Sequence, residues 1–308
     1  MVNLRYQDKN TIIHKLNPFC KLLWIVNILV FVLIFDNPLY ILLLFLSTLP
    51  LIIVARVVKE WASVMKFTFY FCLAIILINA LVSYHGSHIL FEAPFRLPII
   101  GTPIITLEAI FFGVVMSLRL LTIISAFTIL TFTIHPDDLM LSMIKLKVPY
   151  KSVLVTSLST RFIPTLIDDA ECISAVQRSR GLEFDKGNLR QKIKSRASII
   201  LPLLSNSLDR AVQVSEAMES RAFGSGDKRT FYKETKISRI DAITLILGFF
   251  TLAFGIFICL SGHGDYQYYP TFTGINTGGM EYLMSGLLIL FLLSIMFMAF
   301  VKRSVDLD

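Results

Sequence analysis

Residues 104–133 read IITLEAIFFGVVMSLRLLTIISAFTILTFT, thirty positions dominated by apolar side chains. About 20 such residues in a helix span a bilayer's hydrocarbon core, where lipid offers no partner to an open backbone. The stretch therefore reads as a membrane-spanning α-helix. Runs of the same character lie at 22–35, 39–55, 67–83, 241–260 and 282–301. With 55% hydrophobic residues and a mean hydropathy of +0.70, the 308-residue chain lies well above soluble domains. The pattern predicts an all-α polytopic membrane protein of about six transmembrane helices, with a helical cytosolic section between the fourth and fifth.

The run at 22–35 is short. At about 1.5 Å per residue it falls below a hydrocarbon core of roughly 30 Å unless its polar flanks enter the interface. Asp36-Asn37-Pro38 then makes a sharp turn into the next run, because proline cannot continue the helical ladder. A tight outer hairpin is the simplest reading, and a shallow re-entrant pair is the alternative.

Charge placement orients the chain. Arg5, Lys9, Lys15, Lys21, Arg56, Lys59, Lys66, Lys302 and Arg303 fall on the side of the N-terminus, as does the polar middle section. Of the opposite connections, 36–38, 84–103 and 261–281, the second alone carries a basic residue, Arg96. This asymmetry predicts cytosolic termini. The chain is polar through Asn17, so no signal peptide is expected. The net charge of +7 sits at helix ends and in the middle section instead of forming a stripe, which argues against nucleic acid. Cys20, Cys72, Cys172 and Cys259 lack metal-ligand spacing and read as reduced packing residues. Neither a cofactor nor a metal site is expected; His85 and His88 in their polar loop offer too few ligands.

The chain divides into an N-terminal membrane domain (1–133), a coupling section (134–240) and a C-terminal hairpin (241–308). In the middle section one helix is expected over about 150–180, with Phe162, Leu166, Ala170, Ile173 and Val176 as its stripe. A second is expected over about 192–222, with Ile200, Leu204, Leu208, Ala211, Ser215, Met218 and Ala222. Pro164 and Pro202 should kink these helices or mark their starts. His135-Pro136-Asp137-Asp138-Leu139 reads as the capped start of a shorter helix. In the last loop Tyr266, Tyr268 and Tyr269 read as interfacial aromatics.

Both long helices end on an arginine, in Ser179-Arg180-Gly181 and Ser220-Arg221-Ala222, with Gly224 shortly after. Alone, each is explained by the negative end of the helix dipole, worth roughly 0.3–1 kcal/mol. Together, two guanidinium tips at helix ends suit bidentate pairing with carboxylates on a paired partner. Arg119 is a lone charge mid-run, costing about 2.5–3.5 kcal/mol on insertion scales. It is read as a structural pair or a polar anchor to the coupling section, with Asn27 and Asn79 as candidate partners.

The chain resembles the transmembrane T component of energy-coupling factor transporters, a branch of the ABC transporters (the EcfT/CbiQ type), along its whole length. The resemblance rests on His14-Lys15-Leu16-Asn17-Pro18 with Lys21, on His135 to Leu139 before Pro149, on Arg161-Phe162-Ile163-Pro164 leading to Ser179-Arg180-Gly181, and on Pro202-Leu203-Leu204 leading to Ser220-Arg221-Ala222. The family's tripeptides usually read Ala-Arg-Gly, so the arginines match while their neighbours vary. The resemblance implies a non-catalytic subunit in a bacterial or archaeal cytoplasmic membrane. It implies partners as well: two ABC ATPases gripped by the terminal arginines, and a membrane-embedded S component that carries a vitamin or transition-metal ion. No phosphate-cradling Gly-rich loop with Lys-Ser/Thr is present, in keeping with ATP hydrolysis by partners. A membrane enzyme would need paired acids or a nucleophile–base set at the membrane helices, and a self-contained carrier or channel would need intramembrane charges or broken helices in corresponding halves. Neither pattern is found.

Overall fold

Two Asn-Pro pairs open the first membrane hairpin in the same way. Asn17 Oδ1 accepts the Phe19 N–H at 3.1 Å and Asn37 Oδ1 accepts the Leu39 N–H at 3.0 Å, with Pro18 and Pro38 in the first turn, where a missing N–H costs nothing. The computed structural model describes residues 9, 11–82, 86–92, 104–145, 148–182, 189–226, 238–269, 282–290 and 292–294. Its elements are α1 (Ile12–Lys15), α2 (Pro18–Ile34), α3 (Pro38–Val54), α4 (Val58–Val82), β1 (Ile89–Glu92), β2 (Ile104–Thr106), α5 (Leu107–Thr133), α6 (Pro136–Lys145), α7 (Tyr150–Ser179), α8 (Leu189–Ser220) and α9 (Arg239–Leu260). Residues 282–290 and 292–294 are helical too. The fold is all-α in character. By length and composition α4, α5 and α9 can each cross a bilayer, while α2, α3 and the last stretch are shorter apolar helices.

Several boundaries differ from the sequence reading. The third helix begins at Val58, nine residues before its apolar run, because Lys59, Glu60 and Lys66 extend it amphipathically. Residues 104–106 are not helical; they pair antiparallel with β1, and Thr106 Oγ1 then caps α5 by accepting the Ala109 N–H at 3.3 Å. The last helix was expected to reach 301, and residues 295–301 lie outside the described ones. Cys20 and Cys72 are buried, but Cys172 is exposed on α7.

Two compact units emerge, Met1–Leu139 with Lys236–Asp308 and, separately, Met140–Thr235. In the first, α2 and α9 run side by side in the same direction. Gly248 admits Leu23 and Gly255 admits the Phe31 ring, where an added Cβ would collide with Phe31 Cε1. Asn27 Nδ2 donates to the Gly248 carbonyl at 2.9 Å, so a buried amide ties the two helices. α4 and α5 pack antiparallel: Ser117 Oγ donates to the Cys72 carbonyl at 3.1 Å, and Trp61 Nε1 to Ser125 Oγ at 3.1 Å.

The α2–α3 turn reaches only the level of Arg119, twelve residues short of the start of α5. The segment after α9 covers this turn. The Gly264 carbonyl accepts the N–H groups of Asp36 and Asn37 at 2.9 and 3.1 Å, and the Tyr268 hydroxyl donates to the Asp36 carbonyl. Tyr268 is buried against Phe112, with Tyr266 and Tyr269 alongside, so it is an internal packing residue and not an interfacial aromatic. Its phenol is pushed above the usual range by burial, beside the Asp36 carboxylate.

Candidate partner-binding site on the paired helices

α7 and α8 end alike, down to individual hydrogen bonds. After α7 the Gly181 N–H donates to the Arg178 carbonyl at 2.9 Å and the Leu182 N–H to the Gln177 carbonyl at 3.1 Å. After α8 the Ala222 N–H donates to the Glu219 carbonyl at 2.8 Å and the Phe223 N–H to the Met218 carbonyl at 3.0 Å. Both are Schellman endings, with the left-handed residue one position after the arginine: Gly181 at φ 83° and Ala222 at φ 54°. Ala222 itself takes the strained role, so Gly224, also left-handed at φ 92°, does not replace it. Ser179 and Ser220 turn their hydroxyls back to their own helices, onto the carbonyls of Ala175 and Ala217, both at 3.0 Å.

Arg180 and Arg221 are exposed, and among the described residues neither guanidinium makes a hydrogen bond or ion pair. Each is a planar five-donor fork held at the end of a rigid rod, and a carboxylate is its natural complement.

The prolines lie inside the helices, Pro164 in α7 and Pro202 in α8. Pro202 has no N–H to give the carbonyl four residues back, Ser198. Gln177 Nε2 of α7 reaches that carbonyl instead, at 3.4 Å. Thus a proline in one helix opens an acceptor for the other. Arg161 is exposed three residues before Pro164.

A second cross-link joins the pair: Arg210 Nη2 donates to Asp169 Oδ2 at 2.8 Å. The half-buried line of α7 runs through Phe162, Leu166, Asp169, Ile173 and Gln177, close to the expected stripe, and Asp169 and Gln177 reach α8 from it. On α8 the apolar stripe and the half-buried line share only Met218. Ile200, Leu204 and Leu208 are 60%, 53% and 59% exposed, and the half-buried line is Leu203, Ser207, Arg210, Val214 and Met218. The eye-catching aliphatic stripe of α8 is left uncovered within this unit, as are Ile163 and Ile167 of α7.

In the membrane unit, Arg119 pairs with Asp36, Nη2 to Oδ1 at 2.8 Å, and not with Asn27 or Asn79, whose amides bond Gly248 and Ile75. The N-terminal motif forms a clamp. His14 Nε2 meets the Phe132 carbonyl at 3.1 Å, and buried Lys21 donates to the carbonyls of Thr133 at 2.8 Å and His14 at 3.1 Å. Lys21 sits in the first turn of α2, where a cation is unfavourable, yet it serves the negative end of α5. That misplaced charge was the available signal. Glu108, fully buried, was missed: Ser87 Oγ donates to its Oε1 at 3.0 Å, and His88 Nδ1 lies 2.7 Å away. His88 is thus engaged by a carboxylate; His85 lies outside the described residues. At the start of α6, His135 Nδ1 accepts the Asp137 N–H at 3.2 Å.

The family model described as "Cobalt transport protein" (CbiQ) matches residues 9–232, which include both arginine endings and the N-terminal clamp. The chain belongs to the CbiQ family. Relatives carrying the description "energy-coupling factor transporter transmembrane protein EcfT" include one from Streptococcus equi subsp. equi, 33% identical over 273 residues, covering 83% of this chain and 95% of the relative. Another, from Lactococcus lactis subsp. cremoris, is 33% identical over 258 residues, 79% and 91% of the two chains. A third, from Staphylococcus aureus, is 31% identical over 254 residues, with coverage of 79% and 91%. This CbiQ-family chain is accordingly a multi-pass membrane protein and a transmembrane energy-coupling component of a transporter.

Proposed function

We propose that the protein couples two cytosolic ABC ATPases to a membrane-embedded S component that imports a vitamin or transition-metal ion, and that Arg180 and Arg221 hold the ATPases. The observation that carries this reading is the matched pair of helix endings, each presenting an arginine fork, unengaged among the described residues, beside a left-handed residue. Ser179, Gly181, Ser220 and Ala222 form the collar around each fork. ATP is hydrolysed by the partners, and this subunit transmits their motion. The uncovered aliphatic lines on α7 and α8 suit the apolar S component and the bilayer. In this reading the middle section and both termini are cytosolic, in the cytoplasmic membrane of a bacterium or archaeon, with Arg161 and Pro164 as structural supports of α7.

The test is co-purification and uptake with R180A, R221A and the double variant. Losing one partner of a desolvated interfacial pair costs about 2–5 kcal/mol, so each single change weakens ATPase retention and the double change nearly abolishes it. R180K and R221K should rescue poorly, because a point charge does not reproduce a bidentate fork. Full retention and uptake in the double variant would refute the reading.

A further inference from the structure

Asp169 and Arg210 are equidistant from the two tips. Arg180 lies eleven residues past Asp169 in α7, and Arg221 eleven residues past Arg210 in α8. The contacts Asp169–Arg210 and Gln177–Ser198 run in opposite numerical directions, so the helices are antiparallel and their tips lie at opposite ends of the pair. Each arm is about 16 Å long at 1.5 Å per residue. Both prolines precede the bridge, so neither arm is interrupted. The arms also align without a gap: Ala170 with Ala211, Ile173 with Val214, Ser174 with Ser215, Ser179 with Ser220. Eleven residues are about three turns, so each arginine returns to the face that carries its half of the bridge.

The pair therefore has local pseudo-two-fold symmetry, with the bridge at its centre. Two like residues meeting at such a centre would repel if charged. Opposite charges attract there and tie one point of α7 to one point of α8, which apolar neighbours that can slide by a turn do not. Arg210 Nη1 is buried with no hydrogen-bond partner among the described residues, so losing Asp169 would leave the guanidinium largely unsatisfied.

We infer that the Asp169–Arg210 ion pair is the register pin of the coupling helices, positioning residues that set the separation of the Arg180 and Arg221 tips. Its consequence for transport rests on the function proposed above; its effect on geometry does not. The experiment uses the full chain in nanodiscs, with native cysteines replaced and spin labels at S179C and S220C. Pulsed dipolar spectroscopy should give one narrow distance in the parent. D169N and R210Q should broaden it about twofold or more, and the exchange D169R/R210D should restore it. In the reconstituted transporter the single variants should lose about three- to tenfold in uptake per ATP hydrolysed while keeping their ATPases, with recovery in the exchange. An unchanged distance distribution in both single variants, or broadening that the exchange does not repair, would overturn the pin. That measurement needs no ATPase, so it fails separately from the partner reading, which fails only on retention by the R180A/R221A variant.

Discussion

Arg119 of α5 is held by Asp36 in the α2–α3 turn, and the nitrogen that meets the carboxylate also donates to the Phe35 carbonyl, both at 2.8 Å. A charge in a long apolar run is thus answered by a hairpin tip that stops at its level. Breaking a partly buried pair of this kind should cost about 1–3 kcal/mol, the buried-pair penalty discounted for the exposure of Asp36. D36N keeps an acceptor and should stay near the parent in thermal stability followed by fluorescence-detected size exclusion; D36L and R119L should each fall clearly below it.

Gly181 and Ala222 occupy equivalent left-handed positions, but only one is a glycine. A left-handed L-residue costs roughly 1–2 kcal/mol. A222G should therefore steady the end of α8 and slow hydrogen exchange at Ala222 and Phe223. G181A should do the reverse at α7, though an added Cβ there meets nothing within 4 Å. Equal exchange rates in parent and A222G would count against the strain argument.

Pro202 frees the Ser198 carbonyl for Gln177. P202A restores an N–H at that site and removes a helix penalty of about 3 kcal/mol, so α8 should gain stability while losing its link to α7. The expected result is an equal or higher melting temperature with reduced transport. A fall in stability together with normal transport would contradict it.

Gly255 and Phe31 share one space between α9 and α2. G255A should force the helices apart at a cost of about 1–3 kcal/mol. Gly286, with nothing within 4 Å, is the control: G286A should leave extraction and monodispersity in mild detergent unchanged.

Lys21 satisfies the carbonyls of Thr133 and His14. K21M retains the apolar stem but strands those acceptors, which should cost about 1–3 kcal/mol and loosen the start of α6 as read by limited proteolysis. K21R, with donors at a similar reach, should be milder.

Membrane class, the two long polar helices and both arginine endings could be read from order along the chain, because apolar run length and terminal Gly or αL residues are local properties. The seam of α8 could not be read this way. Hydropathy marks Ile200, Leu204 and Leu208 as the apolar face, but in a membrane system an aliphatic line need not face its own chain, and it is Arg210 that reaches α7, at Asp169.

The sequence alone determined that this is a polytopic helical protein with two arginine-ended rods, because burial in lipid and helix termination are decided within a few turns. The tertiary structure decided who answers each isolated charge. Arg119 met Asp36, Arg210 met Asp169, and Lys21 met the end of a helix more than a hundred residues away. A charge names the sign of its partner, never its position, and only the packing of distant helices supplies that.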